Sequence, residues 1–396
     1  MSVAARTGEA APGTSSMALI TVSLFAVAGT IHYQTPMLPK MGAEFGADAA
    51  AVGWVATLSF GGFLAGLLLL VPLGDRYDKR RLVFIQLAAL VPALLVMALA
   101  PTLSILAAAS FAVGVSASLG QHYVPMVVEL ASPLERGRTL ATLLTALFLG
   151  ILFARIAGGL CATYLGWRWM YAISAVAQVA LLPPLLKRLP RMPTTTRLGY
   201  RALLGSVFEL LRKHADLRLV AMNQFLLGIS YGGFWATIAS MLAAFHHLGP
   251  TQAGLMGIPG AAGILIARTA GRWTDRNGVF PVVTTGICLV LAAYLVLGFA
   301  DVSIVAVIAG AMLLDCGLRA AMVANQTMVT TVAPDARSRF NTVFGVSVWA
   351  GNAAGALLAS TTFAHAGWTW VCATAATASS LALLLQLKSE PARRLY

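Results

Sequence analysis

Three ionisable side chains, Arg155, Asp315 and Arg319, lie deep in stretches of this 396-residue sequence that are otherwise apolar. Asp315 comes 13 residues after Val302, where an apolar run begins, about 20 Å along a helix at 1.5 Å per residue. Arg319 follows at i+4 on the same helical face. An ionisable group in hydrocarbon costs at least about 2.5 kcal/mol on insertion scales, so each is a functional candidate by default. A carboxylate gains and loses its proton as its surroundings change, whereas a guanidinium stays protonated. Asp315 is therefore the expected proton-linked group, with Arg319 and Arg155 setting its charge state. The alternative is a self-neutralised structural pair within one helix. Arg155 has no acidic residue on its own apolar run and must find Asp315, a substrate anion or backbone carbonyls. The three together carry a net charge of +1.

Polar clusters interrupt four other places: His32-Tyr33-Gln34, Gln121-His122-Tyr123, Asn223-Gln224 and Asn325-Gln326. His32, Gln34, Gln121, His122, Asn223, Gln224, Asn325 and Gln326 are candidates for lining a polar pathway, and each alone reads equally as an interhelical hydrogen bond. Arg268, four residues before Arg272, can snorkel to water, and Glu129 reads as interfacial. The cysteines Cys161, Cys288, Cys316 and Cys372 lack metal-ligand spacing and read as packing residues. No metal and no cofactor are expected.

The elements that carry these residues must lie mostly in lipid, because 59% of the chain is hydrophobic and only 10% charged. Twelve apolar runs are long enough to span a hydrocarbon core about 30 Å thick. They cover 17–38, 51–73, 82–100, 103–130, 139–163, 168–187, 218–245, 251–271, 280–300, 302–330, 340–362 and 368–387. The net charge of +13 is a topology signal rather than a nucleic-acid footprint. Of 27 Lys and Arg, 22 fall in the segments that share a side with the N-terminus, two (Lys40 and Arg168) on the other side, and three within runs. The positive-inside rule then places both termini in the cytoplasm. The first sixteen residues lack the marks of a removable signal peptide, so the first run is expected to stay.

The chain is internally duplicated. Asp75-Arg76 in Gly74–Arg81 answers Asp275-Arg276 in Gly271–Gly278 at an offset of 200. Pro133-x-x-Arg136-x-Arg138 answers Pro334-x-x-Arg337-x-Arg339, and Gly166-Trp167-Arg168-Trp169 answers Gly367-Trp368-Thr369-Trp370, both at 201, with Gly150 and Gly351 in register. Agreement at one spacing marks a repeat of the kind that builds transporter halves. The expected organisation is a tail over 1–16, a six-helix half over 17–187, a basic linker over 188–217, a second six-helix half over 218–387 and a tail over 388–396. Within the linker, Tyr200 to Lys213 alternates at helical spacing, as an amphipathic helix on an anionic leaflet would; a solvated connector is the alternative.

The loop after the second run resembles the signature Gly-x-Leu-Ala-Asp-Arg-x-Gly-Arg-Lys of the major facilitator superfamily, through Leu73, Gly74, Asp75, Arg76, Lys79 and Arg80. Val71 and Asp78 stand where that signature has glycine; its second copy restores both as Gly271 and Gly278. Tyr33–Pro39 and Leu314–Arg319 are similar to bacterial drug:proton antiporter-like and sugar-efflux-like exporters. Gly150–Gly159 resembles their Gly-x-x-x-Gly-Pro-x-x-Gly-Gly, with Ala154 and Arg155 replacing Gly-Pro. The resemblance implies an all-α membrane protein of twelve helices in two pseudo-symmetric halves, with the first, fourth, seventh and tenth helices lining a central cavity. It also implies a conformational latch at Asp75, Arg76, Arg80, Asp275 and Arg276, which forms or breaks as the halves rock. Gly150, Gly158 and Gly159 are expected to let helices approach closely. No Walker A loop, His-Glu-x-x-His or nucleophile elbow occurs, which excludes a single-chain ATP-driven pump and offers no enzyme chemistry. The expectation is a monomer in the bacterial inner membrane that exports a small organic solute against protons. Uptake or facilitated transport of an organic anion is the alternative, and a membrane-embedded sensor or enzyme a more distant one.

Overall fold

The computed structural model describes residues 14–131, 135–192, 200–332 and 337–393. Among these, eleven helices are long and apolar enough to cross a bilayer. We label the membrane helices α2 (Ala49–Leu69), α3 (Lys79–Leu99), α4 (Leu103–Leu130), α5 (Arg136–Tyr164), α6 (Trp167–Arg188), α7 (Ala215–His246), α8 (Pro250–Asn277), α9 (Val279–Leu297), α10 (Ile304–Val332), α11 (Arg337–Ala366) and α12 (Trp368–Arg393). A shorter apolar helix, α1 (Thr14–Gly29), precedes them and begins a twelfth crossing. The apolar run 17–38 is helical only to Gly29. Beyond it the chain runs in turns from Thr30 to Met37 and then forms the short helix Leu38–Phe45. Pro36 has no amide to give. The carbonyl this leaves, His32 O, accepts from Thr35 N at 3.3 Å, and within the same turns Val27 O accepts from the Thr30 hydroxyl at 2.7 Å and Ile31 O from the Gln34 amide at 3.0 Å. The Pro-x-x-Arg repeats at 133 and 334, and Arg197, lie partly or wholly outside the described residues.

Each half buries its own apolar cluster. One runs from Ile20 on α1 to Met192 beyond α6 and also takes in Ala236 of α7 and Ala356 of α11, and another runs from Leu226 on α7 to Ala382 on α12. Small residues set the seams between halves, because lipid offers helices no hydrophobic reward for associating and close packing must supply it. Along α2 and α11, Gly53 lies against Ser360 and Gly345 against Leu67, so this seam extends along most of both helices. Along α5 and α8, Gly159 lies on Pro250 and the Thr251 hydroxyl donates to that of Thr163 at 2.8 Å. This second contact is on the side away from the termini, the far side. The linker segment Tyr200–Lys213 is a helix across the near side. Its Tyr200 hydroxyl donates to Leu69 O at the end of α2 (2.8 Å), and its Leu210 packs in a cluster with Leu217, Val220, Phe340 and Phe344. It therefore touches both halves.

Two ionic clusters brace the first half. On the near side, Asp78 caps α3 by accepting from Arg80 N at 3.0 Å and also accepts from Met192 N at 3.0 Å, which ties the start of the linker to the loop. Beside it the buried Lys79 donates to Glu129 of α4 at 2.9 Å; from the sequence alone Lys79 is one of the basic residues of the signature loop. On the far side, Glu44 accepts from Trp167 Nε1 at 2.6 Å and pairs with Arg168, which also donates to Ala100 O at 3.0 Å. Burial alone would raise the Glu44 carboxyl. The hydrogen bonds from Arg168 and Trp167, with the Arg168 charge, outweigh it and hold the carboxyl below the usual range.

Candidate functional site

The site is organised by α8, which is interrupted after Leu255 and at Ala261. Gly254, Gly257, Gly260 and Gly263 recur every third residue through the interruption. Each makes room for a part of the site. Gly254 lies against the backbone carbonyl of Arg155, and a methyl on Gly257 would stand 3.6 Å from Arg155 Cβ and Cδ. A methyl on Gly260 would stand 2.8 Å from Trp235 Cζ2 and 3.0 Å from Asp315 Oδ2, and one on Gly263 2.7 Å from Arg319 Cγ. The sequence reading passed over this ladder, although its spacing is visible there.

Arg155 is only 4% exposed. Its guanidinium lies 3.3 Å from the ring centroid of Trp235, and Nη2 donates to the Tyr231 hydroxyl at 3.3 Å. Tyr231 and Trp235 are i, i+4 on α7, so one helical face presents both. A desolvated cation on an indole face gains about 2 kcal/mol, less than a full counter-ion. Arg155 Nε and Trp235 Nε1 have no hydrogen-bond partner among the described residues.

Asp315 is 2% exposed. Arg319 Nε is 4.0 Å from its Oδ1, beyond hydrogen-bond reach, and Oδ2 has no partner among the described residues. Arg319 instead lies over Phe148 of α5 at 4.8 Å and points Nη1 at Met322 Sδ, 3.8 Å away. His32 stands within electrostatic reach of both arginines, flanked by Phe60 and Trp349 at 6.2 and 6.3 Å. His32, Arg155, Asp315 and Arg319 thus come together at the middle of the bundle, from α5, α10 and the turns after α1.

The other sequence candidates are placed elsewhere or otherwise engaged. His122 packs against Gly74 near Lys79, at the near-side loop. Asn223 donates to Gln386 of α12 at 2.8 Å, and Gln34 serves its own turn. Gln224 and Asn325 are buried with amide groups lacking partners among the described residues; Gln121 is half-buried and Gln326 exposed. Of the expected latch, Asp75 is half-buried and engaged, Arg76 lies over Tyr77, and Arg80 donates to Leu186 O at 2.5 Å, while Asp275 and Arg276 are exposed. Gly150 and Gly158 press on Phe25 and Tyr33 of their own half, and Gly159 alone of the three meets the other half. A groove of about 510 Å³ runs between α1 and α5 from Arg138 towards Leu149, with Thr21, Thr142 and Thr145 in its walls. Among the described residues no cluster of three or more His, Cys, Asp or Glu is placed to hold a metal.

The family model described as Major Facilitator Superfamily matches this chain twice, over residues 18–222 and 220–395. The chain is 33% identical over 369 residues to YgaY of Escherichia coli O157:H7, described as an uncharacterized transporter, covering 93% of each chain. It is 32% identical to a probable transporter, SCO4007, of Streptomyces coelicolor, covering 90% of this chain and 83% of that one. Among solved structures, a bacterial homolog of the human lysosomal transporter Spinster, in an inward-facing and occupied conformation, superposes with a TM-score of 0.80 over 98% of both chains at 12% identity.

Proposed function

Because the chain belongs to the Major Facilitator Superfamily and is a membrane transporter rather than an enzyme, we propose that it moves a small organic solute by alternating access, coupled to protons through Asp315. The observation that carries this reading is the placement of the Asp315–Arg319 pair, buried on α10 yet separated by 4.0 Å. A carboxylate with one unpartnered oxygen and a cation just out of hydrogen-bond reach can change its charge when the halves rock and alter either distance or water access. Export in exchange for protons is the direction that the exporter-like Tyr33–Pro39 and Leu314–Arg319 segments support, while Ala154 and Arg155 on α5 depart from the exporters' Gly-Pro. A second reading, transport of an organic anion, is supported by two guanidiniums against one carboxylate.

Orientation follows from the basic residues, with both termini and the linker cytoplasmic in a bacterial inner membrane. A cysteine placed at Arg197 should resist impermeant reagents in intact cells and react in inverted vesicles; the opposite pattern would reverse the orientation. Transport is tested by incubating proteoliposomes with a cell extract, with and without an imposed pH gradient, and identifying the captured solutes by mass. At least one solute should move against its concentration only when the gradient is present. Equal distribution under both conditions would remove proton coupling.

A further inference from the structure

We propose that the central site takes a small aromatic carboxylate, its carboxylate held by the edge of Arg155 together with Trp235 Nε1 and its ring against the aromatic side chains around them. The proposal rests on reading this site as the solute site, and it adds the chemical class and the groups that recognise it.

The first support is an imbalance of charge and donors. Arg155 and Arg319 face one carboxylate, and Asp315 hydrogen-bonds neither of them among the described residues. The π faces of Trp235 and Phe148 cradle the two guanidiniums, which offsets part of their desolvation without neutralising them. Stacking occupies the flat face of Arg155 and leaves its edge available, and that edge is the part of a guanidinium that matches a carboxylate in two parallel hydrogen bonds. Arg155 Nε and Trp235 Nε1, both buried and both without partners among the described residues, supply donors beside one another. Tyr231, having accepted from Arg155, keeps its own hydroxyl proton to donate.

The second support is the shape of the surroundings. Tyr231 meets Trp235 edge-on at 6.2 Å, while His32, Phe60 and Trp349 form a further aromatic group with His32 in reach of both arginines. Gly257 and Gly260 let α8 press directly on the Arg155 and Trp235 side chains, so closely that a methyl on Gly260 would meet Trp235 Cζ2 at 2.8 Å. Flat rings pack well against aromatic side chains in offset or edge-to-face contact. A cationic solute would instead meet two fixed positive charges.

A consequence for coupling follows. The charged and titratable groups around Asp315 are Arg319 and Cys316 on α10, Arg155 on α5, and His32 and Tyr231 beyond them. Neutralising Asp315 raises the net charge of the arginine and aspartate set from +1 to +2, so proton and carboxylate favour each other's binding instead of competing, which accords with the second reading, transport of an organic anion together with protons, and not with exchange of solute for protons.

The test measures binding to the purified full-length protein in lipid nanodiscs at pH 8, with benzoate and indole-3-acetate as probes and benzyl alcohol and benzylamine as neutral and cationic controls. At least one carboxylate should bind saturably, at least tenfold tighter than benzyl alcohol, with benzylamine weaker still. Arg155→Gln should weaken carboxylate binding at least tenfold. Trp235→Phe, which keeps a ring and the fold but removes the indole N–H, should weaken it about threefold. Asp315→Asn, a stand-in for the protonated acid, should tighten it at least threefold. Failure of both carboxylates to bind, binding of benzylamine as tight as theirs, unchanged affinity in folded Trp235→Phe protein, or weaker carboxylate binding in Asp315→Asn would each overturn the proposal. None of these measurements uses a pH gradient, so the proton-coupling reading stands or falls separately.

Discussion

The two halves share a scaffold but keep their charges in different places. In the first half the buried or clustered ions are at the rims: Lys79–Glu129 on the near side and Glu44–Arg168 on the far side. One repeat later, Lys79 and Glu129 become Val279 and Thr330, and Arg168 becomes Thr369. Trp368, the counterpart of Trp167, bonds neutrally to Leu297 O at 2.7 Å. The centre shows the reverse pattern. Asp315 and Arg319 have Gly114 and Ser118 as counterparts, and Gly114 is pressed against the backbone of α2. Even the small-residue ladder differs: Gly254, Gly257, Gly260 and Gly263 on α8 answer Gly53, Ala56, Ser59 and Gly62 on α2. Methyl and hydroxymethyl groups are tolerated on α2, where helices meet helices. Only glycine stands on α8, where charged side chains must fit. The first half is thus built as the braced body, and the second carries the carboxylate and the interrupted helix, with Arg155 reaching in from α5.

Removing one member of the near-side brace should have the largest effect on stability. Lys79→Ala strands Glu129 beside apolar neighbours and should cost about 3 kcal/mol, at the lower end for a broken buried pair because Glu129 is partly exposed. Installing the second half's residues together, Lys79→Val with Glu129→Thr, should recover most of that loss, as replacing a buried pair by neutral groups often does. If the double variant is as unstable as the single one in thermal unfolding, the rim ions do more than brace.

Gly260→Ala should reduce transport at least tenfold, since its methyl would press on Trp235 Cζ2 and Asp315 Oδ2. Ser59→Ala at the matching position should stay within about twofold. Equal effects would erase the contrast drawn between α8 and α2.

The far-side brace should be the weakest lever. Glu44 is exposed enough that Glu44→Gln should cost less than about 1 kcal/mol. Its carboxyl is depressed in the folded protein, so that contribution is present above the usual carboxylate range and lost as pH falls through the folded value. Wild type and variant should therefore converge in stability only once the pH has fallen below that depressed folded value. A gap that persists there would mean that Glu44 acts through packing instead.

Much of this arrangement could be read from residue types alone, because an ion in an apolar run has few explanations. Asp315, Arg319 and Arg155 stood out for that reason, and the repeat stood out because its turn residues recur at one spacing. The rest was hidden by chemistry that looks ordinary in a string of letters. Trp235 and Tyr231 read as two more aromatics on an apolar helix until the guanidinium of Arg155 is seen upon them. Glycine at every third position reads as looseness, and its meaning depends on which neighbours approach. Amides such as Asn223 are equally at home bonded inside one half or lining a pathway, and only the position of Gln386 shows which bond it makes. Lys79 looks like one more basic residue in a basic loop, and its burial depends on where α4 places Glu129.

The central claim is that the second half's carboxylate carries the proton while the first half braces, and Asp315→Asn in proteoliposomes tests it most directly. With a solute identified from the extract experiment, the variant should lose uphill accumulation driven by a pH gradient and retain solute counterflow, in which labelled solute exchanges for unlabelled without net proton movement. Intact pH-driven accumulation in Asp315→Asn would contradict the account and leave Asp315 and Arg319 a structural pair.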